Sequence, residues 1–147
     1  MDPSRATYLE PTQEAGRELF TRGITGPVVM LNLLRFRDIA DYSASPDLAS
    51  PEPISGAEAY RLYSRHTLPF LLEAGGEVIF DGAGGPAFIG PSTERWDRVL
   101  LVRHASLEIF RSFASNPGYL AGIGHRLAAL EDSRLLPMID HTRPSRA

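Results

Sequence analysis

The stretch "HRLAALEDSRLL", residues 125–136, gathers five ionisable side chains and a hydroxyl around four apolar residues, Leu127 to Leu130. His125 is the one side chain in it whose ordinary pKa, about 6.5, lets it take or give a proton near neutral pH, so it is the candidate catalytic base. Arg126 beside it presents a planar fork of donors suited to a carboxylate or a developing oxyanion. If residues 125–132 form one helix, His125, Ala129 and Asp132 share a face. Seven residues at a rise of about 1.5 Å then separate His125 from Asp132 by roughly 10 Å. That excludes a direct His–Asp dyad and leaves both groups able to face one ligand, or to pair separately with Arg35 or Arg95. The plainer alternative is an ion-pair network of Arg126, Glu131, Asp132 and Arg134 that holds the helix to the last strand, because such networks mimic sites.

Other residues belong to the same weighing. Asn32 interrupts an otherwise apolar strand face in "GPVVMLNLLRF". Asn is depleted in strands and a buried amide needs partners, so it reads as a donor that fixes a carbonyl or carboxylate. Arg35 shares the opposite face near the strand end, where solvation alone would also explain it. In "ERWD", residues 94–97, Arg95 suits an anion and Trp96 a pocket wall; the alternative is an exposed hairpin with Trp96 plugging one end of the fold. Tyr60 and Tyr63 lie in a helical stripe with a wall role for Tyr60, and His66 beside them reads as a core or edge residue. The histidines at 66, 104, 125 and 141 have no metal-ligand spacing. No metal site or cofactor is therefore expected. The glycine run at 82–85 precedes neither a Lys-Ser/Thr pair nor a helix, so it is no phosphate loop.

Composition removes whole chemistries. All 15 cationic side chains are arginine; there is no lysine and no cysteine. Schiff-base, P-loop-lysine, thiolate and Cys-metal mechanisms are thereby excluded, and so is a disulfide framework. A net charge of −3 offers no footprint for nucleic acid. The longest apolar runs are too short to span a membrane and the first twenty residues lack a signal-peptide core, so a cytoplasmic protein without a membrane partner is expected.

The elements that must position these residues follow from caps and periodicity. The 147 residues suit one domain, 1–147, with a leading helix segment in 1–25. Thr12 caps the leading helix and Gly23 ends it. A buried strand covers 26–36. Residues 37–54, rich in Ser, Ala, Pro and Asp, read as a long structureless loop and a candidate lid. Ser55-Gly56-Ala57-Glu58 is a capping box that opens a helix to Ala74, with Pro69 expected to kink it. "EVIFDG" starts a second strand, "GAGGP" at 82–86 reads as a turn or bulge, "AFIG" continues the strand and "ERWDRVLLVRHA" holds a third. Ser106 caps a helix through Phe113, Asn116-Pro117 breaks it, Tyr119 to Leu130 resumes it and "SRLLPMI" is the last strand. The order is a leading helix followed by βαββαβ, an α+β, ferredoxin-like pattern. Helices cover one sheet face, yet "VVMLNLLRF" and "RVLLV" carry apolar residues on both. The bare face therefore calls for a second copy packed sheet to sheet.

Four segments, "GPVVMLNLLRFRD", "SGAEAYRLYSRHTLPFLLEAGGEVIF", "IGPSTERWDRVLLV" and "NPGYLAGIGHRLAALEDSRLLP", together resemble the domain-of-unknown-function 1330 family, in its longer variant with an extra N-terminal helix. The resemblance runs from Tyr8 to Met138 and implies a homodimeric α+β barrel. Relatives in that group include cofactor-free monooxygenases, lactone isomerases, polyketide cyclases and haem-dependent chlorite dismutases. Two functions are expected from this point. One is a cofactor-independent enzyme of proton-transfer, cyclisation or isomerisation type on a small oxygenated organic acid or carbonyl compound. There His125 is the base, and Asn32, Arg35, Tyr60, Arg95, Trp96, Arg126 and Asp132 line the substrate. The other is a non-catalytic ligand-binding or structural dimer. A cofactor-free or haem-dependent oxidoreductase is a further alternative implied by the resemblance.

Overall fold

Hydroxyl caps start three helices. In the computed structural model, which describes residues 6–142, Thr12 Oγ1 accepts from the Ala15 amide at 3.0 Å to open α1 (Gln13–Thr21). Ser55 accepts from the Glu58 amide at 3.0 Å to open α2 (Gly56–Glu73). Ser106 accepts from the Ile109 amide at 3.1 Å to open α3 (Leu107–Ser115). Each hydroxyl satisfies an amide that has no partner inside its own helix. The capping box at Ser55 is half formed, because the Glu58 carboxylate turns to Arg61. The α2 helix runs unbroken across Pro69.

Four strands, β1 (Val28–Phe36), β2 (Glu77–Pro86), β3 (Arg95–His104) and β4 (Leu130–Met138), form one antiparallel sheet in the order β2-β3-β1-β4. Asn32 at the centre of β1 faces Leu100 on β3 and Leu135 on β4. Pro137 sits on β4, an edge strand, where a missing amide is tolerated. With α1 leading and two short helices, α4 (Pro117–Leu120) and α5 (Ile123–Ala129), after α3, the connectivity is the expected βαββαβ.

Alternation along β1 divides its side chains between two environments. Val28 and Met30 pack against Leu19 and Leu107 beneath the helices, and Leu34 packs against Ala59, Tyr60, Ala129 and Leu130. Leu71, Phe113 and Tyr119 form a third buried cluster. On the other face Leu31 and Leu33 pair with Leu101 and Val99, and all four stay half-buried. Phe80 and Leu136, on flanking strands of that face, are more than half exposed.

Three expectations are corrected. First, β2 runs through "GAGGP" to Pro86, with its register shift earlier, between Val78 and Phe80. A Cβ at Gly84 would overlap the Trp96 carbonyl, so glycine is what lets β2 approach β3 there. "AFIG" is then the hairpin connection and not strand, with Phe88 fully exposed. Second, the helix expected over 119–130 is split between α4 and α5 and ends at Ala129. β4 begins at Leu130, opposite Phe36, so Glu131 and Asp132 lie on a strand. Third, residues 37–54 are not structureless. Arg37 and Asp41 donate their amides to Ala129 and Ala128 carbonyls at 2.8 and 2.9 Å. Ala40 donates to Ile54 at 2.9 Å, and Pro46–Leu48 form a 3-10 turn. A Cβ at Gly56 would overlap the Arg37 and Ala129 carbonyls, so the ends of this compact loop close because residue 56 has none.

Candidate functional site

Most of the charge in 125–134 serves as a clasp. Arg126 donates to the Leu9 carbonyl at 2.6 Å and Ser133 Oγ to the Tyr8 carbonyl at 2.6 Å. Asp132, only 2% exposed, accepts from the Tyr8 amide at 2.8 Å and from Arg134 at 2.7 Å. The Arg134 guanidinium also lies 4.8 Å from the Tyr8 ring centre. The segment before α1 is thus fastened to the α5–β4 corner by side chains from both elements. The shared helical face expected for His125 and Asp132 does not exist, because a strand begins between them.

His125 turns elsewhere. Its Nδ1 lies 2.7 Å from the Tyr42 hydroxyl, in the 37–54 loop, and the two rings meet edge to face. The α2 and α5 helices run antiparallel, with Gly56 against Ala129 and the His66 ring against Gly122, so His66 neighbours His125. Partial burial, and then the nearby His66, lower the His125 pKa below its ordinary value. The imidazole is therefore neutral near neutral pH. Burial raises the Tyr42 pKa and keeps its hydroxyl protonated. His66 is itself held by the Gly118 carbonyl at 2.8 Å from Nε2.

Asn32 and Tyr60 occupy the layer between sheet and helices. The Asn32 amide donates to the Met30 carbonyl at 3.2 Å. Tyr60 is buried between Phe36 and Tyr63, at ring separations of 5.5 and 5.3 Å, with the Arg98 guanidinium 5.9 Å from its centre. Burial pushes its hydroxyl far above the ordinary tyrosine range. Tyr63 and Tyr119 share a hydrogen bond of 2.7 Å, and Arg98 pairs with Asp81 at 2.6 Å.

Arg35, Arg95 and Trp96 gather at the strand end, away from that layer. Trp96 lies under two guanidinium groups, those of Arg35 at 5.7 Å and Arg134 at 5.2 Å. Two clefts among the described residues bear on these groups. One, of 310 Å³, is lined mainly by apolar loop residues, among them Ile39, Ala40, Ile54 and Tyr42. The other, of 470 Å³, includes Arg35 and Arg95. Neither is lined by His125 or Asn32. Tyr42, Arg98 and Asp81 were missed in the sequence. Tyr42 was hidden in a loop, whereas Asp81 and Arg98 were visible only as ordinary strand charges. Among the described residues no group of three His, Asp or Glu could hold a metal, and no helix is long and apolar enough to cross a membrane.

One antiparallel sheet in this order, with its helices on one face, defines an α+β protein of ferredoxin-like fold. The chain is 33% identical to the RPA0582 protein of unknown function from Rhodopseudomonas palustris, over 97% of this chain and 100% of that one, with a TM-score of 0.79. Methylated RPA0582 gives 32% identity over 93% and 98%, with a TM-score of 0.81. The chain belongs to the RPA0582 family. A dimeric ferredoxin-like protein of unknown function from Bacteroides fragilis is 13% identical over 76% of this chain and 94% of its own, with a TM-score of 0.46. No protein-family model and no curated protein matches the chain.

Proposed function

We propose that the chain is a cofactor-independent enzyme that moves a proton on a small oxygenated organic acid or carbonyl compound. The observation that carries this reading is the 2.7 Å contact between Tyr42 Oη and His125 Nδ1, with Tyr42 lining the 310 Å³ cleft. A substrate in that cleft meets Tyr42 first, and His125 stands behind it. In this reading the substrate gives a proton to Tyr42 Oη while the Tyr42 proton passes to His125 Nδ1, leaving an imidazolium and an enolate-type anion. Burial disfavours a free tyrosinate, so the two transfers are coupled. Reversal of the relay, with Tyr42 giving one proton to a different atom of the substrate as His125 returns its proton to Tyr42, completes an isomerisation. The loop carrying Tyr42 is then both wall and lid. Asn32 and Tyr60 remain candidate substrate groups in the layer behind, while Arg126 and Asp132 have the clasp as their first task.

Proton abstraction leaves an isotopic trace, which removes the need to know the natural substrate. Small ketones and keto acids in D2O should exchange C–H for C–D faster with the protein than without it, as followed by proton NMR. His125→Gln and Tyr42→Phe should each slow that exchange about a hundredfold with little change in melting temperature. Exchange by His125→Gln equal to that of the unaltered protein would remove the base.

The same proposal includes membership of the domain-of-unknown-function 1330 family, supported by the order of the four segments, and a homodimer closed as an α+β barrel. Leu31, Leu33, Val99 and Leu101, with Phe80 and Leu136 beside them, form an apolar sheet face that no helix among the described residues covers. A sheet-to-sheet interface of about 1,600 Å² is typical of a stable pair. Light scattering at micromolar concentration should give twice the mass of one chain. Arg replacing Leu31 should return single chains, and a single-chain mass for the unaltered protein would exclude the barrel.

A further inference from the structure

The 470 Å³ cleft at the strand end is lined by Arg35, Pro86, Ser92, Thr93, Arg95 and Glu131. Its two arginines are loosely partnered. Arg35 Nε is buried without a hydrogen bond, 3.7 Å from Glu131, and its Nη2 reaches Asp132 only at 3.5 Å. Arg95 Nε stands 3.5 Å from Asp97. Three pairs elsewhere close tightly, at 2.5 Å for Arg22–Glu18, 2.6 Å for Arg98–Asp81 and 2.7 Å for Arg134–Asp132, while Arg103–Glu77 at 3.8 Å is as loose but lines no such cleft.

The looseness has a cause. Asp132 already accepts from the Tyr8 and Ser133 amides and from Arg134, at 2.8, 2.9 and 2.7 Å. Asp97 already accepts from the Phe36 amide at 2.8 Å. Asp132 takes those three donors on Oδ1 and Asp97 takes Phe36 on Oδ2, so each carboxylate turns a single oxygen to its arginine at 3.5 Å. Neither guanidinium is held at both ends of its fork, and Arg35 Nε keeps an unfilled N–H donor. The side chain of Glu131 is half exposed and free to turn toward water.

We propose that this cleft binds a small carboxylate. The Arg35 fork takes the carboxylate oxygens in place of Glu131, and Arg95 with the Ser92 and Thr93 hydroxyls closes around them. Local charge favours a carboxylate over a phosphate. Arg35, Arg95 and Arg134 stand against Asp97, Glu131 and Asp132, with Glu94 beside Trp96, so the second negative charge of a dianion is the costlier one to add even with Glu131 turned to water. The site shares no residue with the Tyr42–His125 pair and does not depend on that pair being catalytic.

Trp96 is the single tryptophan of the chain and lies beneath Arg35, so its fluorescence reports on that guanidinium. Butyrate, chloride and inorganic phosphate are titrated at matched ionic strength, by fluorescence and by calorimetry. Butyrate should saturate, and chloride should not. Arg35→Gln should weaken butyrate about tenfold, Arg95→Gln should weaken it severalfold, and Glu131→Gln should strengthen it. Arg95 and Glu131 are exposed, so their variants test the site even if Arg35→Gln fails to fold. The proposal is overturned if butyrate behaves as chloride does by both methods, or if the Arg95 and Glu131 variants bind butyrate as the unaltered protein does. Phosphate binding more tightly than butyrate overturns the carboxylate assignment.

Discussion

Asp132→Ala should lower the free energy of unfolding by about 3 kcal/mol, the largest cost of any single change in the clasp. The carboxylate is 2% exposed and holds the Tyr8 amide, the Ser133 amide and Arg134. Alanine leaves the Tyr8 and Ser133 amides without that acceptor in a place that water reaches poorly, while Arg134 keeps the Ser133 carbonyl at 2.7 Å. Asp132→Asn keeps an acceptor oxygen and loses the charge, so it should cost about 1–2 kcal/mol. Arg134→Gln should cost less than about 1 kcal/mol, because that side chain is 42% exposed and water can replace it. Urea unfolding of the three variants measures the order. Protease cleavage ahead of α1 should also appear in Asp132→Ala, since Tyr8 loses its amide anchor. An Asp132→Ala protein within about 1 kcal/mol of the original would mean that the clasp is decoration.

The clasp also marks where the sequence could be read and where it could not. Thr12, Ser55 and Ser106 act on amides three residues away, and all three caps were legible for that reason. Strand β1 was legible from its length and alternation, and the leading helix and βαββαβ order followed. "LAALED" reads as helix because Leu, Ala and Glu are good helix formers. The structure gives Leu130 and Asp132 to the sheet instead, opposite Phe36 and Arg35, nearly a hundred positions away. Sheet pairing overrode local propensity there. The same limit hid the second half of β2, residues 82–86, whose glycines argue against a strand until Trp96 on β3 is known to press against Gly84.

The site was legible in its types more than in its partners. His125 was identified as the group with a neutral-range pKa, but its partner Tyr42 was hidden in a Ser- and Pro-rich segment whose backbone bonds to Ala128 and Ala129 are long-range. Arg126 and Asp132 were chosen for their charge, which the structure directs to Leu9 and Tyr8. Arg35 and Arg95 line one cleft, separate from the Tyr42–His125 pair, and Trp96 lies under Arg35 without lining that cleft.

Acid should destabilise the protein well above the pH at which carboxylates titrate, and His104 should be the cause. It is 2% exposed, paired across the sheet with Val28 and packed against the rings of Phe110 and Phe113 at 5.0 and 5.5 Å. Its Nδ1 has no hydrogen-bond partner. Burial lowers its pKa to about 4, because an apolar pocket penalises the imidazolium. The unfolded chain binds a proton at about 6.5, before the folded one does. Stability is therefore full above 6.5 and is lost as the pH falls from there toward 4, the direction expected of a base held neutral. The loss between pH 7 and 5 should be roughly 2 kcal/mol, about 4–8 °C in melting temperature. The lowered pKa of His125 acts in the same direction, and its half-exposed ring makes the contribution smaller. His104→Phe, which offers a third ring to Phe110 and Phe113 and no proton site, should remove most of the slope. Thermal melts of both proteins at pH 7, 6 and 5 decide the matter: parallel lines would place the acid sensitivity elsewhere, and a flat line for His104→Phe would place it in this one buried imidazole.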